Sequence, residues 1–306
     1  MHTKELQYWK HHHSFGTDIK TSGERRTKCV IAVTFVMMVI EIVAGTVFGS
    51  MALLADGWHM GTHAAALSIT VFAYIFARRH ASNPRFSFGT GKVGALGGFA
   101  SAIGLGIVAL FVFGESITRL ASPTIIRFDE AILVAIVGLL VNLTSAFILR
   151  DHHDHHVASE HHHDHNLRAA YLHVLADALT SLFAIFALVV GKYLGWVWMD
   201  PVMGLVGSMV IAHWSYGLIK DTSSVLLDAE VGKNKRESIR EKIEGKNDDR
   251  ISDLHIWRVG PKHLAAIVSV VTHEPKDADY YKTLLSDHSD LVHLTVEINR
   301  CPGGPH

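Results

Sequence analysis

Two short pairs of metal-ligating side chains stand inside otherwise apolar segments. His59 and His63 lie in LLADGWHMGTHAAALS, and His173 and Asp177 lie in LRAAYLHVLADALTSLFA. A spacing of four is close to one helical turn, so each pair leaves one helix face at a separation that lets two side chains grip a single ion. Packed face to face, the two helices would bring three imidazoles and one carboxylate to one point. A tetrahedral set of N and O ligands suits Zn²⁺ and high-spin Co²⁺, whereas Mg²⁺ and Ca²⁺ take all-oxygen shells of higher coordination. Mn²⁺ sites lean on carboxylates, while Ni²⁺ and Cu²⁺ bind imidazole strongly, so ligand type leaves those two open. A lone histidine in an apolar helix is most simply a hydrogen-bonded packing residue. Two pairs at one spacing, among small residues that permit close approach (Gly57, Gly61, Ala64 and Ala65; Ala170, Ala176 and Ala178), favour a shared site. Asp56, three residues before His59, is a candidate outer partner that would fix an imidazole tautomer, or else a cap at the mouth of the helix.

The elements that must position these groups are long and apolar. Of the 306 residues 49% are hydrophobic, gathered in blocks, which makes this a membrane protein with a soluble tail. Runs of about 20 apolar residues predict six spans: 30–48, 53–77, 93–117, 131–149, 169–190 and 202–219. A charged group at mid-span costs about 2.5–3.5 kcal/mol on insertion scales, so the ionisable residues inside these segments are retained for a task. Glu41 and Asn142 are two more polar groups within spans, read as interhelical hydrogen-bonding groups or as lining of an ion path. Gly94, Gly97, Gly98, Gly104 and Gly106 of the third span read as close-packing positions.

Six spans put both termini on one side. Lys20, Arg25, Arg26 and Lys28 precede the first span and Arg78, Arg79, Arg85 and Lys92 fill the second connection, whereas Lys192 is the one basic residue between the last two spans. The positive-inside rule then puts both termini in the cytoplasm. The chain starts with polar residues, including His11, His12 and His13, and shows no signal-peptide pattern. Cys29 and Cys301 lie at opposite ends in no metal-binding spacing, which fits a reducing cytosolic face. A net charge of −1 suggests no nucleic-acid partner.

Between the fourth and fifth spans, DHHDHHVASEHHHDH supplies His152, His153, His155, His156, His161, His162, His163 and His165 on the cytoplasmic side. The tract has too few apolar residues to build a core, Val157 and Ala158 alone, and imidazole with carboxylate suits borderline divalent ions, so it reads as a solvated capture loop for metal. After Lys220 the composition becomes that of a small soluble domain. Helical charge spacing at 235–244, strands at 251–259 and 264–271, a helix at 279–285 and a strand at 292–298 predict an αββαβ order, with one sheet face covered by helices. A domain this small often shields its remaining surface by dimerising. The resulting domains are a cytoplasmic N-terminal segment 1–28, a six-helix transmembrane domain 29–220 with its His-rich loop at 151–166, and a cytoplasmic α+β domain 221–306.

The two ligand pairs, FGTGKVGALGGF from Phe88, the His-rich connection and DLHIW at 253–257 occur in an order that resembles the cation diffusion facilitators over nearly the whole chain. That resemblance implies a homodimer of six-helix protomers, each with a metallochaperone-like, ferredoxin-like cytoplasmic domain, in the cytoplasmic (inner) membrane. It also implies exchange of a divalent metal for protons, and it puts the transport ligands at His59, His63, His173 and Asp177. Many zinc-carrying members have Asp where this chain has His63, which makes the chain look most like the bacterial efflux branch associated with Co²⁺ and sometimes Ni²⁺ or Zn²⁺. Members often bind further metal in the tail, where His255, His263, His273, His288 and His293 are the available imidazoles. The expected partners are the metal ion, protons, lipid and a second copy of the chain, with no cofactor beyond the transported ion. No enzyme is expected: there is no HExxH, and four ligands leave no open position for water, which speaks against an intramembrane metal hydrolase. A passive channel or a membrane metal sensor is the other alternative.

Overall fold

A computed structural model of the chain describes residues 24–80, 83–150, 163–229, 231–245, 247–261 and 263–302. The apolar blocks form six long helices: α1 (Glu24–Phe48), α2 (Met51–Arg79), α3 (Val93–Ala121), α4 (Phe128–Arg150), α5 (His163–Leu194) and α6 (Met199–Leu226). Each contains one predicted span. By length and composition two of them, α3 and α6, are apolar enough to cross a membrane among the described residues. The polar residues that interrupt α2, Asp56, His59 and the closing Arg78 and Arg79, lower its hydropathy, and the continuous apolar parts of α1 and α5 are the shorter Ala32–Phe48 and Ala178–Leu194.

The chain divides into two compact units, one made of residues 24–70 and 98–219, the other of 71–97 and 220–302. In the first, chemistry at the helix ends sets the layout. α1 stops at Gly49, whose φ of 77° is left-handed, and Ser50 then caps α2 by accepting from the Leu53 amide at 3.1 Å. The Arg127 amide, just before α4, donates to the Phe48 carbonyl at 2.9 Å, and Phe128 fills the space beside Gly191 near the end of α5. Asp200 in the first turn of α6 accepts from Ser50 Oγ at 2.6 Å and from the amides of Met51 and Ala52 at 2.7 and 3.2 Å. The ends of α1 and α5 and the starts of α2, α4 and α6 therefore gather at one end of the bundle. Small residues bring the helices together: Gly45 and Gly57 at the α1–α2 contact, Gly204 and Gly207 where α6 meets α2, and Ser215 donating to Ala102 O on α3. Of the third-span glycines, Gly106 abuts Ser215 whereas Gly104 faces open space. Large apolar side chains point outward; Phe111 is 77% exposed, as lipid contact requires.

The tail in the second unit adopts the predicted order: α7 (Lys233–Glu244), β1 (Arg250–Gly260), β2 (His263–Thr272), α8 (Ala278–Leu284) and β3 (Leu291–Arg300). The sheet is mixed, with β1 antiparallel and β3 parallel to the central β2. Alternation along β2 sends Leu264, Ala266, Val268 and Val270 to one face, where Ile239, Ile243, Tyr281 and Leu285 from the helical segments close a buried core. The Tyr281 hydroxyl donates to Asp249 Oδ1 at 3.2 Å, and burial together with that carboxylate pushes its pKa up to about 12.

Candidate metal centre

On α2, Asp56 and His59 are both buried. Asp56 accepts from Ser181 Oγ at 2.7 Å and Thr180 Oγ1 at 3.2 Å, so its carboxylate is tied to α5. The His59 ring lies 4.9 Å from the Trp214 ring of α6. A cavity of about 40 Å³ is lined by Asp56 and His59 from α2, Thr180 and Ala184 from α5, and Met203 and Gly207 from α6. It can hold a water molecule and has polar partners for one.

The register between α2 and α5 follows from two sets of contacts. Leu53 shares a buried cluster with Leu188, while Asp56 meets Thr180 and Ser181. Advancing along α2 means retreating along α5, so the helices are antiparallel. His63 is the next turn of α2 after His59, and Asp177 and His173 are the next two turns of α5 toward its N-terminus. The side chains of His63, His173 and Asp177 lie outside the described residues, as do 151–162 of the His-rich tract and the side chains of His163 and His165.

Gly57 and Gly61, expected to ease the approach of α5, pack instead on α1. A Cβ on Gly57 would lie 2.9 Å from Glu41 Cβ, and one on Gly61 would lie 3.3 Å from Met38 Sδ. The reason is the helical period: on α2, Asp56 is turned about 100° and His59 about 160° from Gly57. Asn142 makes the interhelical hydrogen bond expected of it, Nδ2 donating to Met60 Sδ at 3.5 Å. Glu41 does not: among the described residues neither of its oxygens has a hydrogen-bond partner. Trp214 and Asp200 were invisible to ligand spacing. Only the acid–proline pair at the start of α6 hints at the role of Asp200.

The tail histidines are scattered. His255 lies 2.8 Å from Asp253 Oδ2, and His273 Nδ1 lies 2.5 Å from Asp248 Oδ2. Asp248 is held below the usual carboxylate range by the His273 amide first, and then by the side chains of His273 and Thr272. His288, 3.0 Å from Lys235 Nζ, is pushed down by burial and by the charges of Lys235 and Lys242. His293 packs edge-on against Phe88. No three His, Cys, Asp or Glu side chains converge on a common point among the described residues. The two motifs FGTGK and DLHIW do converge, through Phe88 on Trp257 at 5.8 Å and Gly91 against the Val259 carbonyl, where a Cβ has no room.

Residues 28–227 match the model of the cation efflux transmembrane domain. The chain is 32% identical to the "Zinc transporter ZitB" of Escherichia coli (strain K12), over 95% of this chain and 92% of that protein. It is 26% identical to the "Cadmium, cobalt and zinc/H(+)-K(+) antiporter" of Bacillus subtilis (strain 168), over 90% of each. It is 28% identical to the "Cation efflux system protein CzcD" of an Alcaligenes species (strain CT14), over 92% of this chain and 88% of that protein.

Proposed function

We propose a function from a plain premise: the chain belongs to the cation efflux, or cation diffusion facilitator, family. It is a divalent metal efflux transporter that exchanges Zn²⁺ or Co²⁺, with Ni²⁺ also within reach of its ligand types, for protons by alternating access. The register of α2 against α5 is the observation that carries the reading. Continued for one turn from the Asp56–Thr180 contact it would set His59 level with Asp177, and after a second turn His63 level with His173. The four ligands would then meet at one point, with Asp56 held aside by Thr180 and Ser181 as an outer, orienting charge.

Metal and protons compete for the same atoms, and that competition is the coupling. An imidazole with an unperturbed pKa of about 6.5 must be neutral to bind metal. Neutral histidines and the Asp177 carboxylate capture the ion from the cytoplasm, and protonation of the same groups from outside expels it. The arrangement that goes with this reading has six spans, both termini cytoplasmic, in the inner membrane. The residue ranges 1–28, 29–220 and 221–306 serve as cytoplasmic segment, transmembrane domain and cytoplasmic domain, and the protomer pairs with a second copy. Residues 151–165 gather metal at the cytoplasmic mouth. Metal flux into proteoliposomes with and without a pH gradient tests the reading. Uptake accelerated by the gradient with counterflow of protons is expected, whereas gradient-independent flux would make the protein a channel.

A further inference from the structure

Among the described residues the helices bury three carboxyls outside the four proposed ligands, Glu41, Asp56 and Asp200, and Glu41 is the one without a hydrogen-bond donor. Glu41, about two turns before the end of α1, is fully buried, and neither carboxyl oxygen has a hydrogen-bond partner among the described residues. Its niche is made by glycines. On α4 an added Cβ at Gly138 would overlap Glu41 Oε1, and on α2 one at Gly57 would lie 2.9 Å from Glu41 Cβ. Met37 also reaches the niche, its Cε 3.4 Å from the same Gly138 position. A structural carboxyl buried for packing would be expected to find a donor, as Asp56 and Asp200 both do. A bare carboxylate there would lose its hydration with no hydrogen bond in exchange, so the niche holds the neutral acid. The ionisable group that acts on it comes from α2: Asp56, immediately before Gly57. α1 offers no other between Ala32 and Phe48, and the described part of α4 offers none beyond Glu130.

We propose that Glu41 is an additional proton carrier of the exchange, storing one proton in the α1–α2–α4 niche and surrendering it when a divalent cation enters the bundle beside Asp56. The inference rests on the efflux reading above. A cation arriving at the α2–α5 site favours the charged form of a nearby carboxyl through a low-dielectric interior. Glu41–COOH then becomes Glu41–COO⁻, and the proton leaves to the cytoplasm from which the metal came. Once the ion has been discharged outside, the carboxylate takes a proton from that side and the niche returns to its neutral form. Each cycle thus moves one proton inward beyond those carried by the metal ligands.

Isothermal titration of the full-length protein in nanodiscs with Zn²⁺, in buffers of different ionisation enthalpy, counts protons released per bound ion. Glu41→Gln keeps the shape and neutrality of the stored acid without its proton. It should bind Zn²⁺ while releasing about one proton fewer per ion than the wild type, and an unchanged count would overturn the proposal. If Glu41→Gln binds no metal, Glu41→Asp takes its place. That variant should keep the wild-type count with its pH dependence displaced, and a pH dependence identical to wild type would overturn the proposal. Failure of the wild type itself to bind Zn²⁺ would instead sink the efflux reading on which this one stands.

Discussion

In the helices the buried groups include Glu41, Asp56, His59, Ser181, Asp200 and Ser208, while Leu110, Phe111 and Leu133 face outward. In the tail the order is reversed. Ile239, Ile243, Leu254, Ile256 and Val268 fill the core, and ionic pairs such as Lys242–Asp287 and Lys282–Asp279 stay at the surface. The same residue types are sorted oppositely because one region is solvated by hydrocarbon and the other by water. Asp249, the carboxyl buried in the tail, accepts from the Tyr281 hydroxyl, whereas in the helices the proposed function gives the buried groups an ion to meet. A polar group therefore weighs differently in the two places, and substitutions can measure by how much.

The largest effect is expected at the proposed metal centre. Asp177→Ala removes its only carboxylate ligand and should abolish Zn²⁺ and Co²⁺ flux in proteoliposomes while size-exclusion behaviour stays that of wild type. Flux at the wild-type rate would remove Asp177 from the mechanism.

Next comes the charged clamp between α6 and α2. Asp200→Ala strips acceptors from the Met51 and Ala52 amides and the Ser50 hydroxyl, and leaves those donors buried. Hydrogen bonds to a charged group contribute about 1.5–3 kcal/mol each, so a loss of roughly 3 kcal/mol or more is expected. Ile243→Ala, in the tail core, should cost about 2–5 kcal/mol through lost burial and the cavity left behind. Thermal unfolding in detergent, followed for each region by hydrogen exchange, should show comparable losses from opposite chemistry. An Asp200→Ala protein as stable as wild type would mean that water serves those donors equally well.

Much of this contrast was legible in the sequence. Apolar blocks located the six helices, and alternation located β1, β2 and β3 within a few residues, because each signal is local and periodic. What the sequence hid is pairwise. Nothing in β3 announces that it lies parallel to β2, and nothing in Gly57 says that its neighbour is Glu41 rather than a residue of α5. Asp200 looks like an ordinary first-turn acid until Ser50 is seen beside it. The proposed ligand pairs rest on a signal of the local kind, since a spacing of four is itself a statement about one helix face.

A smaller effect is expected from 151–165, which has neither a lipid-facing nor a core-forming pattern. Replacing it with a Gly/Ser segment of equal length should raise the apparent KM for Co²⁺ and leave the maximal rate nearly unchanged, because clustered imidazoles raise the local ion concentration rather than perform the exchange. The difference should fade below about pH 6, where imidazoles are protonated. Initial rates over a range of free Co²⁺ decide it: loss of transport at saturation would make the tract part of the gate, and an unaltered KM would make it a linker.

The smallest effect concerns an exposed pair in the tail, where water already solvates the charges. Asp248 receives the His273 amide at 3.0 Å and Thr272 Oγ1 at 3.0 Å, with His273 Nδ1 beside it, and its pKa is lowered. A carboxyl whose folded pKa is depressed adds stability that is present above the unfolded value of about 3.9 and is lost as pH falls through the folded one. Carboxyl NMR should therefore give Asp248 a midpoint under that of a free aspartate. Because the amide is the largest cause, His273→Ala should move the midpoint up only part of the way. A midpoint at or above the free value in wild type would show that solvent screens the contacts entirely. A full return to it in His273→Ala would instead assign the shift to the imidazole and not to the backbone.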